Sequence, residues 1–267
     1  MIRGSRRDFL KTSLAGAALA TFGASTERAF AAEPVLGLIY PPANYQVPPE
    51  ARQLYPSGIQ FLSEGVGLER MTAAEYDRVI GRVVPAAEKL AKAGATAISV
   101  MGTSLTFYKG AAFNREITEA VTKATGLPAT TMSTAIVKGL QAVGGHRIGV
   151  ATAYTDDVNR RLKVFLEESG FEVLTVQGMN IVSFADAPPV TQDDVLKLAV
   201  RTRESVPRAD AMVISCGALR TIDILVPFEE RCKLPVVSSN PHALWDAVRV
   251  AGLSGQSLGF GTLLAKG

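Results

Sequence analysis

The stretch "AMVISCGALRT" (residues 211–221) sets an apolar run ahead of Ser215, Cys216 and Gly217, and its shape returns in "TAISVMGTSLT" (96–106). Aligned without a gap, Ala97 falls on Ala211, Ser99 and Val100 on Val213 and Ile214, Gly102 on Cys216, and Thr103 on Gly217. Two more echoes keep the same order: "GLIYPP" (37–42) with "GVATAY" (149–154), and "LPATTMSTAIVKGLQAVG" (127–144) with "LPVVSSNPHALWDAVRVAG" (234–252), the last with one insertion. Three ordered coincidences read as an internal duplication.

Between these stretches, β-branched apolar runs alternate with helix-like ones. "VLGLIY", "ATAISVM", "HRIGVATAY", "FEVLTVQ", "DAMVIS" and "LPVVSS" are strand-like. "YDRVIGRVVPAAEKLAKAG", "AAFNREITEAVTKATG", "DDVNRRLKVFLEESG" and "TQDDVLKLAVRTRESV" are helical. Continuous apolar strands separated by helices indicate parallel sheets covered on both faces. The expected fold is α/β, with two pseudosymmetric parallel-sheet domains: 34–132 together with 238–267, and 133–237. Open α/β sheets take ligands at the carboxyl ends of their strands, so the matched loops should line one cleft between the domains.

The chain has 267 residues, 47% of them hydrophobic, which is ample for a packed core. Residues 1–31 are expected to be a leader. "SRRDFLK" pairs Arg6 and Arg7 ahead of "SLAGAALATFGA", which is too short to span a bilayer, and "AFA" supplies small residues for cleavage before Ala32. This pattern reads as a twin-arginine export signal, implying the twin-arginine machinery as a partner, a periplasmic destination and no membrane association after cleavage. The leader holds five of the 28 basic residues and two of the 25 acidic ones, leaving 23 of each. That balance gives no reason to expect nucleic acid or an anionic membrane as partner.

An oxidising compartment raises the question of a disulfide between the two cysteines. Cys216 follows a strand and Cys232 precedes one, which places them at opposite edges of a parallel sheet. Cys232 is therefore read as a structural thiol.

Four strand ends carry the candidate chemistry. "MGTSLTFYKG" offers the hydroxyls and amides of Thr103 and Ser104, suited to a carboxylate or oxyanion, or else to a turn or helix cap, with a helix beginning near Ala111. "SCGAL" sets Cys216 beside Gly217, where the thiol reads either as nucleophile or acid–base group or as a small buried hydrophobe. "ATAYTDDVN" ends a strand at Tyr154, whose phenol can donate to a ligand, with Asp156 as a helix cap. "YPPANYQVPP" forms a rigid wall in which Pro41 and Pro42 have no N–H to give. Dinucleotide, P-loop, serine-hydrolase and zinc-protease motifs are missing, and no cofactor is expected. His146 and His242 are read as surface or capping residues rather than metal ligands, and Leu244 and Trp245 as core.

Together "PPANYQVPP", "MGTSLTFYKGAAFN", "TGLPATTMSTA", "ATAYTDDVNRRL", "SCGAL" and "LPVVSSNP…WDAVR" resemble the bacterial arylmalonate decarboxylases of the aspartate/glutamate racemase superfamily. The resemblance covers essentially the whole chain after the leader. It implies a cofactor-independent carbon–carbon lyase acting on a small dicarboxylate, an arylmalonate-like diacid, to give a 2-aryl carboxylate. Thr103, Ser104, Tyr154 and the backbone at Gly217 would form a dioxyanion hole, and Cys216 would donate the proton. Pro41 would line the site, Gly102 would make room for the aryl group, and Leu68 and Met71 would surround the departing carboxylate. The remaining wall, including Phe184, falls in "NIVSFADAPP", where the resemblance loosens.

Racemases of this superfamily use two thiols, one on each face of a planar carbanion, because inversion needs a base on one side and an acid on the other. Gly102 in place of a second thiol favours decarboxylation with one-sided protonation. The alternatives are a thiol-dependent racemase or maleate cis-trans isomerase, and an exported carboxylate-binding protein.

Overall fold

Two four-stranded parallel sheets share one connectivity, with strand orders β2-β1-β3-β4 and β6-β5-β7-β8. The computed structural model describes residues 33–44, 46–187 and 189–267, so the expected leader lies outside the described residues. In the first half β1 (Val35–Tyr40), α1 (Pro49–Leu54), β2 (Gln60–Gly65), α2 (Ala73–Val79) and α3 (Val83–Lys92) lead to β3 (Ala97–Val100). There follow α4 (Thr103–Phe107), α5 (Gly110–Thr125), β4 (Ala129–Thr131) and α6 (Met132–Val143). The second half runs β5 (Arg147–Thr152), α7 (Asp156–Glu168), β6 (Glu172–Gly178), α8 (Gln192–Ser205), β7 (Ala211–Ser215), α9 (Leu225–Cys232), β8 (Val236–Ser238), α10 (Ser239–Val250) and α11 (Thr262–Lys266).

The strands are apolar because helices cover both sheet faces: β3 and β7 are buried along their whole length. Each fully buried Val, Leu or Ile side chain contributes about 1.5–3 kcal/mol, which is the driving force for the layering. The repeat is visible in the register. Gly37 pairs with Ile98 in the first sheet and Gly149 with Met212 in the second. A Cβ at Gly37 would stand 2.7 Å from Ile98 Cδ1, and one at Gly149 would stand 2.6 Å from Met212 Sδ. At both sites a bulky side chain of the neighbouring strand lies across the glycine and would have to shift to admit a Cβ.

Residues 33–267 form one compact unit. The closing helices of the two repeats pack on each other, α10 also touching β3 and β4 while α6 reaches β7 and β8. This exchange ties the halves together and brings the first turns of α6 and α10 close to the strand ends.

Several local expectations are corrected. The helical stretch 76–94 is broken into α2, a 3-10 turn (Ile80–Arg82) and α3. Pro85 lacks an N–H and its ring excludes the carbonyl of Gly81, so one continuous α-helix cannot form there. Thr103 and Ser104 occupy the first turn of α4 rather than a loop, whereas α5 begins at Gly110, next to the expected Ala111. Thr155 is the N-cap of α7, without a side-chain cap bond, and Asp156 is the first helical residue. His242 is not a surface group: it is buried in α10, where its Nδ1 accepts the Ser238 N–H at 2.7 Å. Leu244 and Trp245 are core, and both cysteines are free thiols.

Candidate active site

Four equivalent strand ends converge on one small pocket. From β1 come Tyr40, Pro41 and Pro42; from β3, Met101, Gly102, Thr103 and Ser104; from β5, Tyr154; and from β7, Cys216, Gly217 and Ala218. Phe184, in the 3-10 turn after β6, completes the lining. None of these residues carries a formal charge, so an anionic ligand here would rely on hydroxyls and backbone amides.

Cys216 is 3% exposed and sits at a φ of 147°, a conformation that costs a non-glycine residue on the order of 1–3 kcal/mol. Three hydrogen bonds hold it: its N–H donates to Ser239 Oγ at 3.0 Å, Leu219 N donates to its carbonyl at 3.1 Å, and Ala218 N reaches Sγ at 3.4 Å. Burial pushes the thiol pKa up to about 11, against smaller opposing effects of the Ala218 N–H and the Tyr154 hydroxyl. The thiol is therefore protonated throughout the neutral range.

Thr103, 2% exposed, has its Oγ1 2.8 Å from Met132 Sδ and 2.9 Å from Ser239 Oγ. The Ser215 hydroxyl donates to the Tyr154 oxygen at 3.3 Å, so the phenol keeps its own proton to give, next to Thr103 and the Cys216 thiol. Burial raises the Tyr154 pKa well above its usual value, so the phenol stays a donor. The Gly217 carbonyl accepts from Asn240 Nδ2 at 2.8 Å, and a Cβ at Gly217 would meet Asn240 Oδ1 at 3.3 Å. Gly102 is more confined, since a Cβ there would stand 2.7 Å from Pro41 Cγ.

Of the residues singled out by sequence, Cys216, Thr103, Ser104, Tyr154, Gly217, Pro41, Gly102 and Phe184 lie around this pocket. Leu68 and Met71 stand behind it. The Leu68 N–H donates to the Pro41 carbonyl at 2.7 Å, and Met71 Sδ lies 3.8 Å from Cys216 Sγ. Sequence reasoning missed Tyr76, a fully buried phenol of α2 beside Ser104 whose pKa is raised chiefly by burial. Its position inside a helix-periodic stretch gave no signal. Ser239 was also missed, because "SSNP" reads only as a helix start.

A strap closes one side. After β6 the chain turns through Asn180 (φ 59°), and Ser183 bridges antiparallel to Arg70. The Met71 N–H donates to the Val182 carbonyl at 2.7 Å, so the strap that carries Phe184 is joined to the first half beside the site. Among the described residues, no group of three or more His, Cys, Asp or Glu side chains is arranged to hold a metal ion.

The arylmalonate decarboxylase family profile matches residues 36–264, and a twin-arginine translocation signal matches residues 5–23. Arylmalonate decarboxylase of Bordetella bronchiseptica is 46% identical over 222 residues, covering 83% of this chain and 92% of that protein. A liganded glycine-to-cysteine, cysteine-to-serine double mutant of arylmalonate decarboxylase superposes with a TM-score of 0.85 at 43% identity, over 88% of this chain and 100% of that one. A maleate isomerase from Pseudomonas putida S16 with maleate shares the fold, with a TM-score of 0.81 at 20% identity, over 87% of this chain and 97% of that one.

Proposed function

This chain belongs to the arylmalonate decarboxylase family, and from that premise we propose how its pocket carries out cofactor-independent decarboxylation of an arylmalonate-like dicarboxylate. The hydroxyls of Thr103, Ser104 and Tyr154 and the Gly217 amide hold one carboxylate. The aryl group lies along Gly102, and the other carboxylate faces the apolar side formed by Pro41, Leu68 and Met71. When the bond from the α-carbon to that second carboxylate breaks, its electron pair stays behind as an enediolate and neutral CO2 leaves. Charge then concentrates on the retained carboxylate, where each preorganised donor is worth roughly 2.7–4 kcal/mol. The Cys216 thiol gives its proton to the α-carbon, the enediolate pair forms the new C–H bond, and the thiolate recovers a proton from water. A thiolate whose conjugate acid has a pKa of about 11 takes that proton back readily at neutral pH.

The observation that carries the reading is the asymmetry of the repeat: a buried neutral thiol at Cys216 and no side chain at Gly102, which leaves one proton donor on one face. The twin-arginine signal exports the protein from the cytoplasm. We place the released enzyme, cleaved before Ala32, in the periplasm; N-terminal sequencing of the periplasmic fraction tests this. Incubation with phenylmalonate in D2O tests the chemistry. CO2 and α-deuterated phenylacetate in equal amounts are expected; α-hydrogen exchange into chiral monoacids without CO2 release would favour a racemase instead.

A further inference from the structure

We propose that Ser239 is a positioning residue that aims the Thr103 hydroxyl proton at the substrate carboxylate; this rests on the reading of Thr103 as a carboxylate donor. The argument is one of hydrogen-bond direction. Ser239 is 1% exposed, and its Oγ has two side-chain contacts, the Cys216 N–H at 3.0 Å and Thr103 Oγ1 at 2.9 Å. An amide N–H can only donate, so Ser239 Oγ accepts from Cys216. Among the described residues, the Ser239 proton then has one acceptor at hydrogen-bond distance, Thr103 Oγ1, and a buried hydroxyl left without an acceptor is costly. With Thr103 Oγ1 already accepting, the Thr103 proton must point elsewhere.

In this structure Thr103 Oγ1 lies 2.8 Å from Met132 Sδ, a weak thioether acceptor that a carboxylate oxygen easily outcompetes, with the Tyr154 hydroxyl also in hydrogen-bonding reach. The repeat shows that the arrangement is one-sided. Aligning "LPATTMS" with "LPVVSSN" puts Met132 on Ser239, each the first residue of its helix. One half contributes a hydroxyl that directs Thr103, and the other contributes a soft acceptor that releases it. Because the same Ser239 oxygen anchors the Cys216 N–H, the proton donor and the carboxylate donor share one fixed reference point.

Kinetics of Ser239→Ala, Thr103→Val and the double variant on phenylmalonate form the test. A misdirected donor should lower kcat by at least about tenfold, short of the roughly 10²–10³-fold for a lost oxyanion donor, with KM changed less than about threefold because the bond strengthens as charge develops. In the Thr103→Val background, Ser239→Ala should cost severalfold less than it does in wild type, since only its hold on the Cys216 N–H is then left to lose. Ser239→Cys, which keeps the size but donates poorly, should fall between wild type and Ser239→Ala, and it serves if the alanine variant does not fold. Activity of Ser239→Ala within twofold of wild type, or multiplicative losses in the double variant, would overturn the proposal. If wild type releases no CO2 from any arylmalonate, the functional reading fails instead. Phenylacetate affinity by calorimetry then reads the same Ser239–Thr103 coupling, and additive losses there count against Ser239.

Discussion

At Cys216, backbone strain, burial and hydrogen bonding act on one sulfur. The φ of 147° turns the residue toward the pocket, and burial keeps the thiol neutral. A thiol at its ordinary pKa of about 8.5 would be half ionised at that pH, whereas this one, pushed up to about 11, is still protonated there. The kcat profile should stay flat from pH 7 to about 9.5 and fall only near the raised pKa; a decline centred at pH 8.5 would mean the thiol is not held as described. Cys216→Ala should abolish turnover. Cys232→Ala should keep most of it, because Cys232 ends α9 at the edge opposite the pocket. Equal losses from both would assign Cys232 a role in the chemistry. Gly102→Cys should cost about 1–3 kcal/mol in thermal unfolding, as its Cβ displaces the Pro41 ring 2.7 Å away, and should erode the handedness of the product. Cys216 and Gly102 were legible because a repeat lets a missing side chain be seen; Tyr76 and Ser239 were not, because their partners come from distant segments.

Among the elements, the long central strands were legible, while β2 and β4 were not. β2 is a half-buried edge strand without a continuous apolar run, and β4 has only three residues. α4 escaped notice because five residues are too few to show a helical period. α10 carries its own pH dependence. His242 Nδ1 accepts the Ser238 N–H, and burial pushes its pKa down to about 4 from the ordinary 6.5 or so. Between those values the unfolded chain binds a proton that the folded chain does not, so stability is complete above about pH 6.5 and falls with pH toward 4. From pH 7 to 4.5 this site alone should cost on the order of 2–3 kcal/mol. Urea unfolding at both pH values checks it, and a His242→Gln variant should lose that part of the slope; an unchanged slope would place the acid sensitivity elsewhere.

The molecule as a whole is a pseudosymmetric frame around an asymmetric centre. The sheets share strand order and even the glycine over which a neighbouring side chain lies, yet the loops between them hold a thiol on one side and a glycine on the other. The parallel α/β frame was legible from alternating runs, and α6 and α10 cross onto opposite sheets. Because these helices interlock the halves, thermal unfolding should be a single calorimetric transition, and two resolved transitions would contradict that coupling. Export belongs to this scale too: replacing Arg6 and Arg7 by lysine should leave the precursor in the cytoplasm, and undiminished export would exclude the twin-arginine route. The most direct test of one-sided protonation is the product of a prochiral α-methyl-α-phenylmalonate in D2O. A single enantiomer of 2-phenylpropionate carrying one α-deuterium per CO2 released is the predicted result; a racemic product would contradict it.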